Sequence, residues 1–136
     1  MEKFIHRISP DEILDLQDGE VFVYGSNLSG RHGKGAARQA LKWGAKWGVP
    51  FGLMGMTFGI PTKDKSVKRT LDIEEIKIWV HKFIEFAKSR RDLKFLVTEI
   101  GCGLAGLDPK EVAPLFKEAT HLENVYLPRR FWKYLV

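Results

Sequence analysis

An asparagine and a histidine, Asn27 and His32, stand in the stretch VFVYGSNLSGRHGKGAARQA, residues 21–40, with Gly25, Gly30, Gly33 and Gly35 around them. A carboxamide fixes a ribose hydroxyl or orients an attacking water. An imidazole with a near-neutral pKa moves a proton, or holds a phosphate as imidazolium. Structural roles are also open to both: Asn after a strand satisfies turn amides with its own side chain, and a loop His bonds backbone. The glycines add a third element. Positive φ and bare backbone bring amides close to an anion, and the helix that follows offers unpaired N–H groups, a chemistry suited to phosphate or pyrophosphate.

A second glycine loop, GCGLAGLDP, carries Gly101, Gly103 and Gly106. Its Cys102 is either a thiolate nucleophile or a small, partly buried packing residue. With no C-x-x-x-x-x-R phosphatase pattern after it, we read packing. The known nucleotide fingerprints are absent: there is no G-x-x-x-x-G-K-[ST], and GSNLSGRHGKGAA is not G-x-G-x-x-G directly after a strand. A P-loop ATPase and a Rossmann dehydrogenase are therefore excluded. Lys63 and Asp64 are either a phosphate contact with a carboxylate base or a solvated loop pair. Glu99 either points into the cleft or pairs with a basic group, since an unpaired buried carboxylate is costly. Trp43, Trp47, Trp79 and Trp132 are read as core or helix-packing residues rather than base-stacking platforms.

The elements that must position these groups alternate. SPDEILDLQ reads as a short helix capped by Ser9 with Pro10 in its first turn. VFVYG is a continuous β-branched and aromatic run, the pattern of a strand buried on both faces, and GAARQALKWGAKWG continues as a helix to Gly48. FGLMG reads as a loop leading to a short strand, Thr57 to Ile60, ended by Pro61 and followed by a mobile basic loop. Apolar residues at three- and four-residue steps predict a helix from Asp72, its N-cap, to about Ser89. KFLVTEIG repeats the buried strand, PKEVAPLFKEA opens another helix on proline, NVYLP is a last short strand, and RRFWKYLV a C-terminal helix or tail. The expected fold is a single α/β domain over residues 1–136, three-layered, with a largely parallel mixed sheet between helices.

Composition sets the frame. The chain has 136 residues, 44% hydrophobic and 29% charged, as an ordinary globular domain does, and a core must hold it. Its N-terminal run lacks the apolar block of a signal peptide and no stretch reaches a membrane-span length, so a cytoplasmic protein without membrane attachment is expected. One cysteine makes no intramolecular disulfide, and no Cys/His cluster has zinc spacing, so no metal is expected. A net charge of +5 favours anionic partners. The Lys and Arg residues are scattered rather than interleaved with aromatics, which makes nucleic acid the less favoured partner.

Three stretches, VYGSNLSGRHGKGAARQALKWGA, GMTFGIPTK and FLVTEIGCGLAGLDPKEVAPLF, resemble the signatures of macro domains, and the similarity spans about residues 20 to 128. More specifically it resembles a divergent bacterial and phage branch of small macro-like proteins carrying G-S-N-x-x-G-x-H-G-x-G and I-G-C-G-x-A-G. The resemblance implies an ADP-ribose or related nucleotide diphosphate ligand, with no cofactor. Asn27 matches the Asn that faces the distal ribose in macro domains with hydrolase activity. Gly33, Lys34, Gly35 and Ala36 match the glycine stretch beside the diphosphate, and Gly101, Gly103, Leu104, Ala105 and Gly106 match the second phosphate loop. His32 and Lys34 interrupt a stretch that is usually almost pure glycine, and Asp18 stands nearest the place of the adenine-contacting Asp. Gly25, Ser26, Gly30, Lys63 and Cys102 complete the expected ligand-binding set, with Asn27 and His32 as the expected catalytic pair if an ADP-ribosyl linkage is hydrolysed. Two alternatives remain open: a non-catalytic module for RNA or a phosphorylated ligand, and a Cys102-dependent hydrolase.

Overall fold

A computed structural model describes residues 7–136; the reading of the first six residues as part of a leaderless N-terminus lies outside them. The fold is α/β. Strands β1 (Glu20–Asn27), β2 (Gly52–Met54), β3 (Thr57–Lys63), β4 (Lys94–Val97) and β5 (Val125–Tyr126) form one sheet in the order β2-β3-β1-β4-β5. All neighbours are parallel except β2 and β3. The helices are α1 (Gly35–Ala40), α2 (Ile73–Ser89), α3 (Pro109–Val112) and α4 (Arg129–Trp132), with 3-10 turns at Leu41–Trp43 and Ala113–His121. Among the described residues no helix is long and apolar enough to cross a membrane.

The apolar run of β1 follows from burial on both faces. Val21 and Val23 enter a core with Ile76, Val80, Phe83 and Phe116, while Phe22 and Tyr24 enter a second core with Ile13, Ala37, Ala40 and Met54. Successive residues of a strand point to opposite sides, so both faces need apolar residues. Asp72 is the N-cap of α2, as its sequence predicts, and its N–H donates to the Glu75 carboxylate at 3.4 Å.

Several expected boundaries move. Residues 9–17 form no helix: Ile8 pairs with Leu127, and the Ser9 hydroxyl, expected as a cap, donates instead to the Val97 carbonyl at 2.7 Å. The buried Arg7 fixes the same segment by donating to the carbonyls of Leu122, Val125 and Thr120. The helix expected to reach Gly48 stops as a 3-10 turn at Trp43, because Gly44 adopts a φ of +108° where its backbone crosses Gly55. The expected loop at FGLMG contains β2. Its partner β3 runs through Pro61 to Lys63, because β2 pairs only with Thr57 to Gly59 and leaves that part of the edge without a donor requirement. β4 ends at Val97 rather than near Gly101. The helix on Pro109 becomes 3-10 from Ala113, since Pro114 has no N–H for an α-helical bond. The basic loop after β3 is ordered by hydrogen bonds: the Asp64 carboxylate accepts from the Ser66 hydroxyl at 2.6 Å, and Thr70 donates to the Ala105 carbonyl at 2.6 Å.

The topology decides where a ligand can sit. From β1 the chain moves to β3 on one side, then crosses to β4 on the other. In such a sheet the loops leaving two parallel neighbours diverge at their carboxyl ends and leave a crevice between them.

Candidate functional site

The crevice holds a cleft of about 670 Å³ between the loop leaving β1 and the loop leaving β4. Its walls include Gly25, Ser26, Asn27, Gly33, Lys34, Gly35, Ala36, Lys63, Gly101, Gly103, Leu104 and Ala105, all expected from the sequence. A register shift in β1 at Ser26 and Asn27 turns the strand end and sets Asn27 opposite Lys63 on β3. Cations rim the cleft: Arg31 and Lys34 are exposed, and Lys63 is half-buried. The backbone N–H groups of Gly103, Leu104 and Ala105 donate to no protein acceptor among the described residues, whereas Cys102, Gly106 and Leu107 close the loop on the carbonyls of Glu99, Gly103 and Gly101. This loop therefore offers amides to a bound group while holding its own shape.

Asn27 is buried, and its carboxamide organises the first loop. Oδ1 accepts from the Ser29 hydroxyl at 2.8 Å and the Arg31 N–H at 2.9 Å, and Nδ2 donates to the Arg31 carbonyl at 2.8 Å. Only one Nδ2 hydrogen remains for a ligand.

His32 does not reach the cleft, contrary to its expected part in proton transfer. It is fully buried, with Nδ1–H donating to the Gly30 carbonyl at 2.6 Å and Nε2 accepting from the Tyr24 hydroxyl at 2.8 Å. A carbonyl can only accept, which fixes this neutral tautomer. Burial lowers its pKa, partly offset by the Gly30 carbonyl, and burial also pushes the Tyr24 phenol up so that it remains a donor.

Compared with protein-family models, curated proteins and solved structures, the chain matches none of them.

Three other expected ligand contacts lie off the cleft walls. Gly30 serves the fold: at a φ of +69°, a Cβ there would stand 2.4 Å from the Gly48 carbonyl carbon. Gly106, at a φ of +77°, completes the second loop's turn. Cys102 is half-buried against the larger core, and its Sγ lies 3.5 Å from the Ile100 carbonyl. Burial, and the nearby Glu99 carboxylate, push its thiol up to about 11. At pH 8 only about one thiol in a thousand is then ionised. Alkylation by iodoacetamide at that pH is expected to be at least tenfold slower in the native protein than in denaturant; comparable rates would contradict the packing role.

Glu99 resolves its two alternatives in both directions at once. It lines the cleft, and it accepts a bidentate pair from Arg130 Nε and Nη2, each at 2.6 Å, which holds the carboxyl below its usual range. Asp64 is tied to Ser66 and Arg69 and does not line the cleft. Trp47 overturns the expectation of a packing residue: it is 61% exposed and forms part of the cleft wall. Trp132 is buried, while Trp43 and Trp79 pack on Phe22 and Phe51. No local sequence signal marks Trp47 as exposed, because the helix ends at Gly44 only where that backbone meets Gly55.

Proposed function

We propose that the cleft binds a nucleoside diphosphate sugar of the ADP-ribose type, held by its diphosphate between the two glycine loops. What carries this reading is the pair Gly33 and Gly103. Both line the cleft and neither has a positive φ; a Cβ on Gly103 would meet nothing within 4 Å, and one on Gly33 only the tip of Trp47 at 4.0 Å. The fold needs no bare backbone at either position, so the bareness serves something that approaches from the cleft. The volume falls within the roughly 300–1,000 Å³ typical of small-molecule sites. Arg31, Lys34 and Lys63 supply positive charge, and Arg130 neutralises Glu99, the one carboxylate on the wall among the described residues.

Recognition, rather than turnover, is the function this geometry favours. A hydrolytic step needs a group that moves a proton beside the reacting bond. Both His32 ring nitrogens are committed behind the loop, and both Glu99 oxygens accept from Arg130, which leaves that carboxylate a weakened base.

Titration calorimetry with ADP-ribose at low and high salt tests the proposal. Saturable one-to-one binding with a shallow salt dependence is expected, because a diphosphate displaces few counterions compared with a polynucleotide. Binding of RNA with a steep salt dependence, and none of ADP-ribose, would replace it by the RNA-binding alternative.

A further inference from the structure

Among the described residues Trp47 is the only aromatic side chain on the cleft wall, and it is also among the most exposed large apolar ones. Its position is built rather than incidental. The turn that carries it is anchored where the Gly48 N–H donates to the Gly30 carbonyl at 2.8 Å and the Val49 N–H to the Lys46 carbonyl at 3.1 Å. The Lys46 N–H meets the Met54 sulfur at 3.3 Å. Behind the indole lies the His32 ring, 6.1 Å away between centroids and tilted by 48°. That imidazole is itself fixed by Tyr24 and by Gly30, the residue that also anchors the Trp47 turn. In front, the indole tip stands 4.0 Å from where a Gly33 Cβ would be, so the ring borders the bare backbone of the first loop. Lys34 follows Gly33 on that loop and Arg31 precedes it by two residues, and both line the cleft.

We propose that Trp47 is the stacking platform for the nucleobase of the cleft's ligand, the contact that selects a nucleotide over a base-free sugar phosphate. This rests on the nucleotide-binding reading of the cleft. An indole face stacks on any planar heteroaromatic ring, and a side chain already braced from behind loses little freedom when it does so. The neighbouring cations then meet the phosphate attached to that base. In this arrangement the buried Tyr24–His32 pair has a task that touches the ligand only through the indole, and His32 is a positioning residue.

The test is calorimetry on wild type, Trp47→Ala and Trp47→Phe with ADP-ribose, AMP and ribose 5-phosphate. Because the side chain is exposed, both variants are expected to fold, which far-ultraviolet circular dichroism verifies. Trp47→Ala should weaken ADP-ribose and AMP by roughly 10- to 100-fold, the range seen when a stacking aromatic is truncated. Trp47→Phe should stay within a few-fold, and ribose 5-phosphate should bind all three proteins alike. Equal weakening of ribose 5-phosphate would assign Trp47 to the sugar and overturn the proposal, as would unchanged ADP-ribose affinity in Trp47→Ala. Wild type that binds none of the ligands would instead remove the cleft reading, and this proposal with it.

Discussion

Replacing His32 with alanine is expected to lower folding stability by about 3 kcal/mol, which chemical denaturation monitored by tryptophan fluorescence will measure. The side chain is fully buried, with one hydrogen bond to the Gly30 carbonyl within the loop and one to the Tyr24 hydroxyl on β1. Each is worth on the order of 1 kcal/mol, and the rest comes from the cavity and from a buried Tyr24 hydroxyl left without its acceptor. The pH dependence carries a second signature. Burial lowers the His32 pKa in the folded state, so below the ordinary histidine value the unfolded chain takes up more protons than the native one. The contribution is therefore complete above about pH 6.5 and declines as pH falls below it toward the depressed native value. Wild type should lose stability between neutral pH and pH 5 more steeply than His32→Ala. An alanine variant as stable as wild type, with the same pH slope, would contradict the bracing role.

The double substitution Gly33→Asp with Gly103→Asp is expected to leave stability within about 1 kcal/mol of wild type and to weaken ADP-ribose by roughly 100-fold. Neither position has a backbone conformation or a packing contact that resists a side chain. Both carboxylates would stand on the walls along which the diphosphate is placed. Two like charges a few ångströms apart near a protein surface repel by a few kcal/mol, and partial exposure brings the expected loss to about 3 kcal/mol. The same change at Gly30 would instead strike the backbone of Gly48 and damage the fold, so the contrast separates glycines that serve the ligand from those that serve the chain. Affinity retained within threefold in the double variant would show that no anion runs between the loops.

The two β-loop-α units were legible because their signals are local. The apolar run of β1, the Asp72 cap and the two glycine loops each declare themselves within a few residues. Parallel pairing of β1 with β4 then brings both loops to one edge, and for that reason most expected cleft residues do line it. What could not be read depends on distant partners. Ser9 has the pattern of a helix cap, yet its hydroxyl is taken by Val97, far along the chain. His32 carries the same motif whether it faces the cleft or the core; Tyr24, eight residues back on β1, decides it. Trp47 resembles its packed neighbour Trp43 in composition, and only the crossing of Gly44 with Gly55 ends the helix early enough to leave it on the cleft.

The most direct measurement is a 15N-resolved NMR titration of the labelled protein with ADP-ribose, following the glycine amides. The predicted result is saturable shifts at Gly33, Gly35, Gly101 and Gly103, which line the cleft, with Gly19, Gly44 and Gly55 unmoved because they lie away from its walls. Saturating ligand that leaves the cleft glycines in place, or that moves only amides elsewhere, would contradict a nucleotide-diphosphate site between the two loops.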